Sequence, residues 1–163
     1  MSNITLGKQL EQLFQQQIHS AEQLYKLLRE ENEALTQRDY ERTSELTQLK
    51  QAKSADIEAL SSQLTELLTT LQHPYSHETL DKLIMELPAQ SGNRLKQMKL
   101  KLQQTTLSCQ DQNIINGQII AVNKQSAETA LAILRGQFST SELTYGAAGL
   151  PIKDKSAKTI TKA

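Results

Sequence analysis

The sequence predicts an all-α protein, and three observations support that fold class. The 163 residues are 37% apolar and include no Trp, two Phe and four Tyr, which leaves little aromatic material for a wide core. Gln is abundant and lies mostly among leucines, a composition that favours long helices. Apolar residues recur every three, four or seven positions. We therefore predict an elongated antiparallel bundle of three long helices and one short helix, followed by a flexible C-terminal tail.

The first half of the chain is expected to form two long helices, over about 5–36 and about 39–71. No Gly or Pro separates them, so one continuous helix is an alternative. We favour a tight turn near Gln37 to Asp39, because Thr36 or Asp39 can cap a helix and the apolar stripe weakens there. In a hairpin, each amphipathic helix also covers the apolar face of the other.

The second half begins with clear helix boundaries. Pro74 breaks the pattern, and Ser76 is a candidate cap for a short helix over about 77–87, which ends at Pro88. The segment PAQSGN (88–93) is predicted to be a loop. A last long helix is expected over about 93–135, because Gly136 is the residue type usually found just past a helix. The bundle then covers 1–138, and 139–163 form a turn and the tail.

The last long helix carries two apolar stripes instead of one. The first stripe contains Leu95, Met98, Leu102, Cys109, Ile119, Ala130 and Ile133. The second contains Leu100, Leu107, Ile114, Ala121 and Leu131. A helix that is apolar on two sides has more surface to bury than one partner can cover.

This helix also places its least helix-favouring residues at its centre, in the segment QDQNIINGQIIAVNK (110–124). Asn and Gly each cost a helix interior up to about 1 kcal/mol relative to Ala. Three interpretations are open for Asn113, Asn116 and Asn123. They could be buried and fix the helix register, they could be exposed and neutral, or they could line a groove in which Gly117 makes room for a partner's backbone.

The sequence offers little support for catalysis, metal binding or nucleic-acid binding. Acidic and basic residues balance at 18 each, and no basic patch is interleaved with aromatics. His73 and His77 have helical metal-pair spacing, but Pro74 lies between them and no third ligand is near. Phosphate-binding loops and the GxSxG motif are absent. We expect no enzyme activity, no cofactor and no metal.

The expected location is the cytoplasm. The single cysteine, Cys109, fits a reducing compartment and is expected to be buried and inert. The N-terminus has no signal-peptide pattern, and no stretch reaches the roughly 18 apolar residues of a membrane span. We therefore expect no membrane insertion.

Three ordered pieces resemble the FlgN family of bacterial flagellar export chaperones. They are NIINGQII (113–120), LAILRG (131–136) and LTYG (143–146). The first half, ENEALTQRDYERTSELTQLK (31–50), is compatible with the family pattern of Glu-x-x-Ala-Leu, Asp and Leu-x-x-Leu-Lys. The turn departs from the family pattern, since YGAAGLP lacks a Pro or charged residue directly after Tyr-Gly.

The resemblance implies a non-enzymatic chaperone whose clients are the hook-associated proteins FlgK and FlgL, delivered to the flagellar export gate and ATPase complex. It also implies that Tyr145 docks on the export gate, although its ring could equally cover the helix end. We expect the client-binding surface to lie on the last long helix and the segment after it. Its predicted residues are Asn113, Ile114, Asn116, Gly117, Ile120, Leu131 and Leu134.

The alternative is a coiled-coil structural adaptor that self-associates and has no role in export. Spare apolar faces on the last helix support self-association as readily as they support a client groove. A stable dimer that buries the second stripe would favour the adaptor.

Overall fold

Four helices account for nearly all of the structure that the computed structural model describes, which covers residues 3–71, 76–136, 144–145 and 151–152. They are α1 (Asn3–Gln37), α2 (Tyr40–Thr70), α3 (His77–Glu86) and α4 (Ala89–Leu134). The predicted all-α bundle of three long helices and one short one is confirmed.

After the helices, β1 (Thr144–Tyr145) and β2 (Pro151–Ile152) form a two-residue antiparallel ladder. The rest of the predicted turn and tail, 139–163, lies outside the described residues.

A tight turn joins α1 to α2, so the first half of the chain is a hairpin and not one continuous helix. Arg38 adopts a left-handed conformation with φ of 59°. Asp39 then caps α2, because its side chain accepts a hydrogen bond of 3.0 Å from the backbone N–H of Arg42. The Arg42 guanidinium bridges Glu30 of α1 and Glu45 of α2, at 2.9 Å each. The hydrogen bond to Glu45 raises the pKa of Arg42.

The junction of α3 and α4 differs from the prediction. Ser76 caps α3 as expected and accepts a 3.0 Å hydrogen bond from the Thr79 N–H. However, PAQSGN is not a loop, because α4 begins at Ala89 and the Gly92 N–H donates to the Pro88 carbonyl at 2.9 Å. A Cβ on Gly92 would lie 2.8 Å from the Ile84 carbonyl oxygen. This glycine therefore permits close backbone packing of α3 against α4 instead of marking a turn.

The end of α4 follows the predicted signal. The helix ends at Leu134, and Gly136 has a φ of +66°. The Gly136 N–H donates to the Ile133 carbonyl at 3.0 Å. A left-handed glycine just past a helix is a common C-terminal cap, because it has no Cβ to clash.

The chain divides into two compact units, Met1–Ile120 and Ala121–Ala163, with the boundary inside α4. In the first unit, α1 and α2 pack closely along their lengths. Its hydrophobic core joins the first half of α1, the end of α2, α3 and the start of α4. The buried members of that core are Leu6, Leu10, Phe14, Leu64, Leu68, Leu80, Leu83, Ile84, Leu87 and Leu95.

Candidate functional site: the faces of α4 and the groove beside α2

The two apolar stripes of α4 have different environments. Leu95 and Cys109 of the first stripe are buried. Leu100, Leu107 and Ile114 of the second stripe are about half exposed or more, at 55%, 52% and 60%. These three residues are seven positions apart and therefore lie along one side of the helix. Within the first unit, one stripe of α4 is therefore covered and the other is exposed, whereas Ile133 of the first stripe lies in the second unit and is 58% exposed.

Six of the seven predicted client-binding residues are exposed. Ile114 and Ile120 lie in the first unit, together with exposed Asn113 and Gly117. Apart from the local helix backbone, no heavy atom of the described residues lies within 4 Å of where a Cβ on Gly117 would stand, so open space adjoins this glycine.

Leu131 and Leu134 lie on the part of α4 that belongs to the second unit, and Leu134 is 82% exposed. Tyr145 belongs to β1, where it pairs with Pro151, and its side chain lies outside the described part of the structure.

Asn116 is the exception, because only 1% of its surface is exposed. Its Nδ2 donates to the Leu28 carbonyl and to Glu31 Oε2, at 2.8 Å each. Its Oδ1 accepts from Asn32 Nδ2 at 3.0 Å and from Gln112 Nε2 at 3.1 Å. The expectation that the Asn116 side chain helps to form a client surface is therefore wrong. The interpretation that a buried asparagine fixes the helix register is the correct one for Asn116. Its side chain joins α4 to α1, and both of its donors and its acceptor are satisfied.

A buried ion pair extends this network from α1 to α2. Glu31 is 2% exposed, and Lys50 Nζ lies 2.6 Å from its Oε1 and 2.8 Å from its Oε2. The buried carboxylate therefore has a lysine from α2 and an amide from α4 as donors. A buried carboxylate is tolerated when it is both paired and hydrogen-bonded. The polar network consequently fixes three helices in one register.

Cys109 makes a second contact between α4 and α1, seven residues before that of Asn116. Its thiol donates to the Ala21 carbonyl at 3.4 Å, and Asn116 donates to the carbonyl of Leu28, seven residues further along α1. The constant offset shows that α1 and α4 run parallel in register. Burial raises the pKa of the Cys109 thiol, so the reactive thiolate is disfavoured.

A groove lies between α2 and α4, with α1 as its floor. It consists of two clefts of about 680 Å³ and about 600 Å³ that share Ile57, Leu102, Thr106 and Gln110. We call the two together the α2–α4 groove. Ala21, Leu24 and Leu28 of α1 line the first cleft, and Phe14 and Gln17 line the second. The predicted site residue Asn113 also lines this groove, and so does Leu107 of the exposed stripe.

Sequence reasoning did not find the α2 side of this groove. Its wall includes Gln51, Ser54, Ala55 and Glu58, which are short or polar residues typical of a solvated helix face. The available signal was weak: between Leu49 and Ile57, α2 has no large apolar residue, so its apolar stripe is interrupted there. An interruption of that kind also fits a simple surface helix, and only the position of α4 makes it the wall of a groove.

The geometry suits the binding of another polypeptide. Among residues 3–71, 76–136, 144–145 and 151–152, no three side chains of His, Cys, Asp or Glu cluster as a metal site would require. Within the same ranges, no helix is both long enough and apolar enough to cross a membrane. An exposed apolar helix face beside a helix-lined groove is typical of sites that bind amphipathic helices.

Comparison with known proteins agrees with this interpretation. No curated protein and no solved structure matches the chain. A family model described as FlgN protein matches residues 1–151, which is nearly the whole chain. Proteins of that family bind flagellar hook-associated proteins as chaperones and are not known as enzymes. The chain therefore belongs to the FlgN family of flagellar export chaperones.

Proposed function

We propose that this chain is the cytoplasmic chaperone of FlgK and FlgL, and that it delivers them to the export gate and ATPase complex. The observation that carries the proposal is the exposure of apolar side chains on α4, which include Ile114 and Ile120 in the first unit and Leu131 and Leu134 in the second. Exposed residues of this kind are expected where a partner covers them.

The client proteins need their apolar surfaces covered before export, and exposed apolar side chains on α4 can cover them. The terminal segments of hook-associated proteins become coiled coil only on assembly, so their apolar stripes are uncovered before export. Docking on the exposed face of α4 covers these stripes and prevents premature association. Ordering the client segment costs several kcal/mol, which limits the affinity and allows release at the gate.

The client surface of this proposal consists of Asn113, Ile114, Gly117 and Ile120, together with Leu131 and Leu134. Asn116 does not contact the client in this proposal. Its side chain is bonded to α1, and it therefore positions the part of α4 that carries the client surface. Gly117 leaves open space beside the helix, which a client backbone can approach. Tyr145 is assigned to docking on the export gate.

The test is co-purification of the full chain with the terminal segments of the hook-associated proteins of its own organism. We expect the wild type to capture them and a Leu131→Ser/Leu134→Ser variant to lose most of that capture. Leu49→Ser is the control, because Leu49 is also an exposed leucine but lies on α2, away from the exposed face of α4. Circular dichroism should be unchanged in both variants, and undiminished capture by the double variant would place the client surface elsewhere.

A second variant separates client binding from gate docking. We expect Tyr145→Ala to capture clients normally and to bind the purified cytoplasmic domain of the export gate more weakly. Equal gate binding by Tyr145→Ala and the wild type would remove this residue from the proposal.

The rival function is self-association through the exposed stripe, which the heptad spacing of Leu100, Leu107 and Ile114 favours. Sedimentation equilibrium distinguishes the two functions. A chaperone with a free client face is expected to be predominantly monomeric at micromolar concentration, and to bind a hydrophobic dye that the client displaces. A stable dimer that captures no client would instead identify a structural adaptor.

A further inference from the structure

The first part of α4, residues 89–102, is anchored by apolar burial and by ion pairs. Leu95 is completely buried in the hydrophobic core, and Leu102 packs against that core. Lys99 forms an ion pair with α3 at 2.6 Å, and Lys101 forms one with α1 at 2.7 Å. This part of α4 can therefore leave the bundle only if the core itself opens.

Residues 103–120, which we call the distal segment of α4, have no comparable anchor. Cys109 and Asn116 are the two buried residues of this segment, and neither has a large apolar side chain. Asp111 is its only charged residue and forms no ion pair with any described residue. Apolar burial, which supplies most of the stability of a fold, therefore contributes much less here than at residues 89–102.

The neighbouring helices leave much of the distal segment uncovered. The backbones of α1 and α2 approach each other more closely than either approaches α4. The α2–α4 groove runs along the distal segment, where Thr106, Gln110 and Asn113 line it and are exposed. Asn, Gly and β-branched residues make up most of NIINGQII (113–120), so the segment is also a weak helix by itself. Its helical state consequently depends on contact with α1.

Polar groups supply that contact. Cys109 Sγ donates to the Ala21 carbonyl at 3.4 Å, and Asn116 Nδ2 donates to Glu31 Oε2 at 2.8 Å. Glu31 is itself 2% exposed and is compensated by Lys50 Nζ of α2, which lies 2.6 Å from its Oε1. A buried carboxylate is stable in place only while it is paired. The contact of Asn116 on α4 therefore depends on a lysine of α2.

We propose that the distal segment of α4 opens from α1 and closes on it as one unit while residues 89–102 stay in place, and that the contacts of Lys50, Glu31 and Asn116 keep it closed. Such a segment opens at a lower free energy than a hydrophobic core, because few buried apolar groups become exposed. Opening uncovers Cys109 and frees the part of the proposed client surface that lies in the first unit. The inference goes beyond the proposed function and does not depend on it, because it concerns the free chain.

Lys50→Met tests the coupling between α2 and α4 without changing α4. The substitution leaves the Glu31 carboxylate buried without its cation, so the carboxylate turns to solvent and releases Asn116. We expect Cys109 to react with a thiol reagent at least about tenfold faster than in the wild type, because the distal segment is open more often.

Two further variants serve as controls. Lys53→Met removes a lysine of α2 that is covered to a similar degree but pairs with Asp56 of the same helix, at 2.9 Å. Its labelling rate should equal that of the wild type. The double variant Glu31→Gln/Lys50→Met should recover most of the wild-type rate, because a neutral amide needs no cation and its oxygen still accepts from Asn116.

Hydrogen exchange followed by mass spectrometry shows which part of α4 opens. In the wild type without denaturant, the amides of residues 103–120 should exchange faster than those of residues 95–102. Lys50→Met should accelerate exchange in residues 103–120 and leave it unchanged in residues 95–102. A general loss of stability accelerates exchange in both ranges, so this difference separates opening of the distal segment from destabilisation of the whole fold.

Faster labelling in Lys50→Met, recovery in the double variant and faster exchange confined to residues 103–120 support the inference. Equal protection of the two ranges in the wild type overturns it, and that comparison stands even if Lys50→Met fails to fold. Exchange that rises equally in both ranges of Lys50→Met, or an unchanged labelling rate in that variant, also overturns it. None of these results bears on client capture, because no client is present in the experiment.

Discussion

The two ends of the first unit attach α4 to the rest of the bundle by different chemistry. Near α3, aliphatic side chains such as Leu10, Leu68 and Leu95 form one continuous buried cluster. Near the α1–α2 turn, the contact depends on the buried polar groups of Asn116 and Glu31, with Lys50 completing the network.

The difference separates stability from positioning. Apolar burial contributes most of the stability of a fold, but it has little directional preference. Hydrogen bonds to a buried amide contribute modest net stability and allow only one alignment of the helices. We interpret the α3 end as the source of stability. The polar end holds α4 in the register that leaves its second stripe exposed.

The largest expected effect is at the aliphatic end. Leu10 is completely buried in the cluster, and Leu10→Ala should lower the free energy of unfolding by about 3 kcal/mol, because it removes apolar contacts and leaves a cavity. Leu100→Ala is the matched control and should change stability by less than about 0.5 kcal/mol, since Leu100 is exposed. Urea unfolding followed by circular dichroism measures both. Similar losses for the two variants would contradict the assignment of the core.

A smaller effect is expected at the polar end. Asn116→Ala should cost about 2 kcal/mol, because Glu31 and the Leu28 carbonyl each lose a buried donor. The exposed neighbour provides the control, and Asn113→Ala should be nearly neutral.

Labelling of the single cysteine, Cys109, tests whether the stability lost in Asn116→Ala comes from separation of α4 from α1. Burial raises the pKa of the Cys109 thiol, so the wild type should react slowly with a thiol reagent at neutral pH. Asn116→Ala should react faster if α4 separates from α1 more often. Unchanged labelling together with unchanged stability would show that the network does not hold α4 in place.

The smallest effects compare one substitution at two glycines of α4. Gly92→Ala should destabilise the protein by about 1.5 kcal/mol, because the new methyl group would press on the Ile84 carbonyl oxygen. Gly117→Ala should stabilise it by about 0.8 kcal/mol, because open space surrounds this position and Ala is the better helix former. Thermal unfolding of both variants measures whether each substitution raises or lowers stability. A change in the same direction for both would contradict the predicted difference between the two glycines.

Client capture by Gly117→Ala adds a functional result. If the variant is more stable and yet captures less client, the glycine is present for the partner and not for the fold. Undiminished capture would remove Gly117 from the proposed surface.

The sequence predicted the caps and the exposed stripe because their signals are local. Asp39, Ser76 and Gly136 each act on backbone groups within a few residues, so their roles depend little on the remainder of the fold. The exposure of Leu100, Leu107 and Ile114 followed from helical periodicity, since one neighbouring face cannot cover two stripes.

The sequence did not predict the roles of Gly92 and Asn116, because both roles depend on contacts between residues that are distant in the chain. Gly92 has the composition signal of a turn, but its reason for being glycine is the backbone of Ile84 in another helix. Asn116 was consistent with burial, exposure or a partner surface, and its partners Leu28 and Glu31 are 88 and 85 residues away. No local pattern distinguishes those outcomes.

By itself the sequence determined the helical class, the caps and the family resemblance, because each depends on residue spacing along one segment. Only the tertiary structure decided that Asn116 faces inward, that Gly92 packs a helix junction, and that α2 and α4 enclose a groove with Gln17 at its floor. Those features depend on which helix faces which neighbour, and burial is a property of that arrangement and not of any one segment.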